Sequence, residues 1–229
     1  MKKRSKRYRE IIKLSTKGKK VEINEIFDLV KKTSTAKFDE SIDVSLKINL
    51  KQSKGGDFNL RTVVKLPEGT GKKIIVAVLC ETDKIEEAKT CGADIVGSDD
   101  LIEKISVGKF DFNKLICTPG MMAKLGKHGK VLGPKGLMPN PKLGTVATDI
   151  KKAVQDIKTG LVEVKNDKDG NVGSTIGRKS FTNEKLLKNY SFFIDALKKE
   201  KPDAMKGELV KNIYLTSSMG IGFKVGGKI

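Results

Sequence analysis

At 229 residues, 38% hydrophobic and 5% aromatic with no tryptophan, the chain is long enough for one large domain or two small ones built on aliphatic cores. Lysine and arginine outnumber aspartate and glutamate by 46 to 28, a net charge of +18 that favours polyanionic partners through field attraction and counterion release. Three cysteines without C-x-x-C spacing argue against a disulfide framework or a zinc site, no apolar run reaches the roughly 20 residues that span a bilayer, and the N-terminus lacks the apolar core of a secretory signal, so the chain reads as soluble and cytoplasmic, with no membrane partner and no metal.

In chain order, residues 1–20 carry ten basic residues against one glutamate, half of the total surplus. Lys2, Lys3, Arg4, Lys6, Arg7 and Arg9 read as a solvated arm that attracts phosphates with little selectivity. Val21 to Asn24 leads into a helix carrying Ile26, Phe27, Leu29 and Val30. Ile42, Val44, Leu46, Ile48 and Leu50 alternate with polar residues, the period of a half-buried strand, and Leu60 to Leu66 predicts another strand.

The middle third has a different rhythm. Apolar runs at Ile74–Leu79, Ala93–Gly97 and Lys114–Cys117 alternate with helices over Asp83–Thr90 and after Ser98, where Leu101, Ile102 and Ile105 share a face. This is the pattern of parallel βα units covered on both sides. From Gly126 to Gly144, approached from Thr118, glycine, proline and lysine crowd together without a carboxylate. That composition excludes a regular helix or strand and predicts a structured cationic loop for an anionic surface. Asp149–Lys158 closes the block as an amphipathic helix.

Leu161–Val164 reads as a strand, joined by a turn over Asn166–Asn171 to a partner at 172–176. Thr182 caps a long helix with Leu186, Leu187, Tyr190, Phe193, Ile194 and Leu197 inward, stopped by Pro202. Ile213–Leu215 is a further strand. Hinge-like seams at 66–71 and 158–160 divide the chain. The fold class expected is α/β: a split α+β domain from both chain ends (1–67 and 160–229), with an inserted Rossmann-like three-layer α/β domain (68–159).

Six segments then carry a resemblance: K-R-Y-R at 6–9, T-A-K-F-D-E-S at 35–41, L-P-E-G-T-G-K at 66–72, C-G-A-D at 91–94, L-G-P-K-G-L-M-P-N-P-K at 132–142 and S-S-M-G at 217–220. In this order the chain resembles the family of the bacterial large-subunit ribosomal protein L-one, over nearly its whole length. The resemblance implies a non-catalytic protein of the mobile ribosomal stalk that binds large-subunit ribosomal RNA, assists release of exit-site transfer RNA, and represses translation of its own messenger RNA. It implies no cofactor, and a monomer off the ribosome. Ser218, Ile221 and Lys135 depart from the threonine, proline and arginine of many relatives; Lys135 can offer a phosphate a point charge but no fork.

For ribosomal RNA the expected contacts are Lys37 on a phosphate, Phe38 on a ribose or base and Ser41 on a 2′-hydroxyl. They continue through Lys165, Lys168, Thr216, Ser217, Ser218, Met219 and Gly220. Composition alone favours Phe38 as a core residue and leaves 216–220 as readily a plain turn; the resemblance favours RNA for both. For transfer RNA the expected contacts are Lys127, Lys130, Lys135 and Lys142. Two other classes compete: a nucleotide-binding α/β enzyme, and a nonspecific nucleic-acid-binding protein. Gly69-Thr70-Gly71-Lys72 lacks phosphate-loop spacing, and His128 has no nucleophile or paired carboxylate nearby, so catalysis is disfavoured.

Overall fold

The computed structural model describes residues 4–16, 18–49, 60–201 and 207–226. Lys2, Lys3, Leu50 and Pro202, invoked above, lie outside them. The chain is mixed α/β and divides into two compact units, Met1–Gly71 with Val162–Ile229, and Lys72–Leu161.

In the first unit, strands β1 (Lys20–Val21), β2 (Ser41–Ile48), β8 (Asn171–Arg178), β9 (Val210–Ser217) and β10 (Phe223–Val225) form a sheet in the order β1-β10-β9-β2-β8. All neighbours are antiparallel except β1 and β10, which run parallel. Ile42, Val44, Leu46 and Ile48 of β2 face inward with Ile213 and Leu215 of β9. Helices α2 (Ile23–Thr33) and α8 (Asn183–Lys199) close over this face through Ile26, Phe27, Val30, Leu186, Phe193 and Leu197. The Thr182 hydroxyl accepts the Lys185 N–H at the start of α8, and lysines 198 and 199 complement the helix dipole at its end. The opposite face of the sheet carries the polar half of each alternation.

A separate two-stranded sheet pairs β3 (Arg61–Lys65) with β7 (Leu161–Lys165). The expected turn at 166–171 forms: Asp167 accepts the Asn171 N–H at 2.6 Å, and Gly170 adopts φ 77°. The hairpin expected around it does not extend. Among the described residues its arms are joined by the bridge Asn166–Val172 and by the Asp167 N–H donating to the Asn171 carbonyl, because β7 departs to β3 while β8 stays with β2. Buried Asn189 of α8 holds residues 68 and 69, accepting the Glu68 N–H and donating to the Gly69 carbonyl.

The second unit holds a parallel sheet in the order β5-β4-β6, from Ile95–Gly97, Val76–Leu79 and Lys114–Cys117. Alternate residues of these strands feed two cores. Ala77, Leu79, Leu115 and Cys117 pack with helices α4 (Asp99–Ser106), α5 (Pro119–Gly126) and α6 (Gly129–Leu132). Val76, Val78 and Ile116 pack with α3 (Ile85–Thr90) and α7 (Ile150–Lys158). Ile150, Ala153, Val154 and Ile157 recur at helical spacing on α7, and the Asp149 carboxylate caps it through the Lys152 N–H. Burial, with the neighbouring Cys80, pushes the Cys117 thiol up to about 12, as suits a core thiol; Cys91 is only half-buried.

The glycine- and proline-rich stretch corrects its sequence expectation in part. Residues 119–126 are helical, one further helical turn spans 129–132, and a 3-10 turn covers Pro141–Leu143. Proline is tolerated at the first helical position, where its missing N–H would have no partner, and burial of Met121, Leu125 and Leu132 outweighs the cost of the glycines.

Candidate nucleic-acid interface

Two segments far apart in sequence meet at one end of the five-stranded sheet. One runs from the end of α2 into β2, residues 33–41; the other is the end of β9 and its turn, residues 216–220. Register brings them together, since Ile42 stands opposite Ser217 and Asp43 opposite Thr216. Beyond those pairs the Ser218 N–H donates to the Ser41 carbonyl at 3.1 Å. The Ser41 N–H returns a bond to Ser218 Oγ, also at 3.1 Å.

Glu40 lies underneath this junction. It shares the parity of Ile42, Val44, Leu46 and Ile48, so strand alternation turns it inward, and it is fully buried. One carboxylate oxygen accepts the Ala36 N–H at 2.9 Å and the other accepts the Met219 N–H at 3.0 Å. Burial is the largest single influence on its ionisation and pushes the pKa up. The Ala36 N–H, the Ser217 hydroxyl, the Met219 N–H and the Ser34 hydroxyl together outweigh it, so the net pKa lies below the ordinary glutamate value. The two hydroxyls are buried beside the carboxylate without completing hydrogen bonds of ordinary geometry. A charged acceptor at the centre makes these bonds stronger than neutral ones.

Neighbouring residues fix the rest of the corner. Asp39 accepts the Ser180 N–H at 3.1 Å and the Ser180 hydroxyl at 2.8 Å, and sits 3.8 Å from the Arg178 guanidinium. The Lys179 ammonium donates to the Ser34 carbonyl, and its N–H to the Glu40 carbonyl. At Gly220 a Cβ would stand 2.4 Å from Ser217 Oγ and 3.3 Å from Thr33 Oγ1, so only glycine fits without movement there.

On this rigid base Phe38 is 55% exposed and Met219 is 50% exposed, with Lys37 and Ser218 in solvent beside them in sequence. The core reading of Phe38 therefore fails. Two large apolar side chains thus stand in solvent on a backbone held from below by hydrogen bonds. Ser217, in contrast, is buried; it supports the corner and does not face outward. Thr216 and Ser41 lie on the open face of the sheet, and that face continues through Asp43, Tyr214 and Asn212. Tyr214, 38% exposed, stands opposite Ser45 and Lys224 in the ladder. Glu40 and Tyr214 were both absent from the sequence candidates. Parity along β2 and β9 was the signal that could have found them.

Lys165 and Lys168 do not join this group. Lys165 precedes the 166–171 turn and Lys168 lies within it; the Gly170 carbonyl of this turn accepts the Ile48 N–H, at the far end of β2 from Ser41. Six residues of strand separate those ends, on the order of 20 Å.

In the second unit Lys127, Lys130 and Lys142 are exposed, as expected of a cationic loop. Lys135 is engaged: its ammonium lies 3.8 Å from the centre of the Phe110 ring. Backbone bonds set the loop's course. The Asn140 side chain accepts the Lys142 N–H at 2.9 Å, and the Asn140 N–H donates to the Thr145 hydroxyl at 2.8 Å. Leu132, Pro139 and Leu143 are buried, anchoring the loop. Among the described residues no group of histidine, cysteine, aspartate and glutamate could hold a metal ion, and no helix is long and apolar enough to cross a membrane.

An exposed aromatic, exposed lysines and hydroxyls stand together in sequence on a hydrogen-bonded backbone, and the class of protein the relatives define is a structural RNA-binding protein, not an enzyme. The profile of the family described as "Ribosomal protein L1p/L10e family" matches residues 30–221. The chain is 60% identical to the "Large ribosomal subunit protein uL1" of Pelagibacter ubique (strain HTCC1062) over 204 residues, 89% of each chain. It is 46% identical to that of Thermosipho africanus (strain TCF52B) and 47% to that of Kosmotoga olearia, in each case over 98% of this chain and 97% of the relative. The chain belongs to the ribosomal protein L1p/L10e family.

Proposed function

We propose that this protein binds large-subunit ribosomal RNA at the mobile stalk of cytoplasmic ribosomes through the corner formed by Lys37, Phe38, Ser41 and residues 216–220. The supporting observation is the pair of exposed apolar side chains, Phe38 and Met219, carried on a backbone that the buried Glu40 locks from below. Such a surface discriminates by shape and 2′-hydroxyl contact, while the charge of +18 supplies attraction without selectivity. Lys165 and Lys168 then serve a second, peripheral phosphate contact at the other end of the sheet. In this reading both chain ends build a ribosomal-RNA-binding α+β domain, and the middle of the chain is an inserted Rossmann-like α/β domain. The loop bearing Lys127, Lys130, Lys135 and Lys142 reaches exit-site transfer RNA and assists its release. The same corner, occupied by a similar RNA shape in the protein's own messenger, represses its translation.

The deciding experiment is competition between a stalk RNA fragment and unrelated structured RNA at physiological ionic strength. Selection of the stalk fragment is expected. Equal affinity for both would favour nonspecific coating and overturn the reading.

A further inference from the structure

The first described residues bear directly on the corner. Ser5 Oγ accepts the Tyr8 N–H at 3.2 Å and starts a helix, α1, over Lys6–Ile11, with Ile11 buried. The Arg4 guanidinium lies 4.8 Å over the Tyr8 ring. Arg7, one turn before Ile11, is half-buried and forks. Its Nη2 donates to the Met219 carbonyl at 3.1 Å and its Nη1 to the Thr35 hydroxyl at 3.4 Å. These acceptors belong to the same two segments that Glu40 joins from beneath through the Ala36 and Met219 N–H groups. Met219 is thus held at its amide by a buried carboxylate and at its carbonyl by a guanidinium. The planar fork of arginine suits two acceptors on separate segments; an ammonium on a flexible stem does not hold both in one geometry.

We propose that Arg7 is a positioning residue that sets specificity: it fixes the 35 and 219 segments in their RNA-contacting shape before RNA arrives, instead of neutralising a phosphate as an arm residue would. The basic arm is therefore two things. Arg4, Lys6 and Arg9, exposed, supply general attraction, and Arg7 supplies shape. This inference rests on the assignment of the corner to ribosomal RNA.

The test uses the full-length protein with Arg7→Gln, Arg7→Lys and, as a control, Lys6→Gln. Binding to a stalk RNA fragment and to a scrambled duplex is measured across a salt series. For Arg7→Gln, stalk affinity falls roughly tenfold or more, the scale of lost bonds from a charged donor, while scrambled-duplex affinity falls no further than in Lys6→Gln. Arg7→Lys keeps the wild-type salt slope yet loses discrimination as Arg7→Gln does. Amide exchange at Ser218–Gly220 speeds up in both variants without RNA. Equal weakening on both RNAs with a salt slope reduced by about one would make Arg7 an ordinary phosphate contact and overturn the proposal. Full retention of discrimination by Arg7→Lys would overturn it too. A wild-type protein with no preference for the stalk fragment would instead sink the ribosomal-RNA assignment itself.

Discussion

The Glu40 carboxylate accepts the amide proton of Met219 at 3.0 Å, across 179 positions of sequence. Removing the carboxylate in Glu40→Ala leaves the part-buried Ala36 and Met219 N–H groups without their acceptor, a cost of about 1–3 kcal/mol. The first unit should melt earlier in a thermal or denaturant scan. Stalk RNA affinity should fall with it although Glu40 touches no solvent.

Acid should act at the same point. The folded pKa of Glu40 is depressed, so its stabilising contribution is complete above the ordinary glutamate range and disappears as pH falls through the lowered value. Asp94 in the second unit is also depressed, first by its bond from the Val76 N–H, so global melting would mix the two. Amide chemical shifts of Ala36 and Met219, followed from neutral pH downward, should titrate together in the wild type and stay flat in Glu40→Gln.

Phe38→Ala removes a half-exposed ring that packs little of the core. Protein stability should change by less than about 0.5 kcal/mol, as surface substitutions do. RNA affinity should drop by about 1–3 kcal/mol, the scale of one stacked base. Calorimetry with a stalk RNA fragment separates the two effects. Lys168→Ala, at the other end of the sheet, should weaken stalk and scrambled RNA alike.

Gly220→Ala places a methyl 2.4 Å from Ser217 Oγ. The hydroxyl must move, and it flanks the Glu40 carboxylate. Overpacking of this kind costs about 1–3 kcal/mol. The expected outcome is a lower melting temperature together with loss of stalk RNA selection, and Ser217→Ala in the same chain should restore part of the stability.

Replacing residues 72–160, which leaves Glu68 and Gly69 on Asn189, by a short linker should preserve stalk RNA affinity and remove the basic loop proposed to reach transfer RNA. Loss of ribosomal-RNA affinity in a folded truncation would refute the assignment of that affinity to the chain ends.

Much of the scaffold is legible from periodicity. The alternation from Ile42, the amphipathic helix from Asp149, the Thr182 cap and the apolar runs of the central sheet each correspond to an observed element. Two features were not. A turn such as 166–171 is specified locally, but whether its arms stay paired depends on which other strand competes, here β3 for β7. The glycine-rich stretch shows tertiary burial overriding weak helix propensity at Met121 and Leu125. At the site, residue type alone favoured a buried Phe38 and left 216–220 undecided; the resemblance pointed both outward, and neither gave a hint of the support beneath Phe38 and Met219. Glu40 looks like any surface carboxylate until its parity on β2 is followed, and Arg7 looks like one cation among many until Met219 is placed beside it.

One consequence concerns synthesis. β2 leaves the ribosome early, yet the strand that pairs along its inner edge, β9, and the amide that satisfies Glu40 are translated more than a hundred and fifty residues later. Until then a carboxylate destined for the interior lacks one of its two backbone donors, and the edge of β2 lacks the partner that ends in the 217–220 turn. The nascent polypeptide therefore cannot display the finished corner of residues 33–41 and 216–220 while most of it is still being made, and any binding that needs this corner must wait for β9 to emerge.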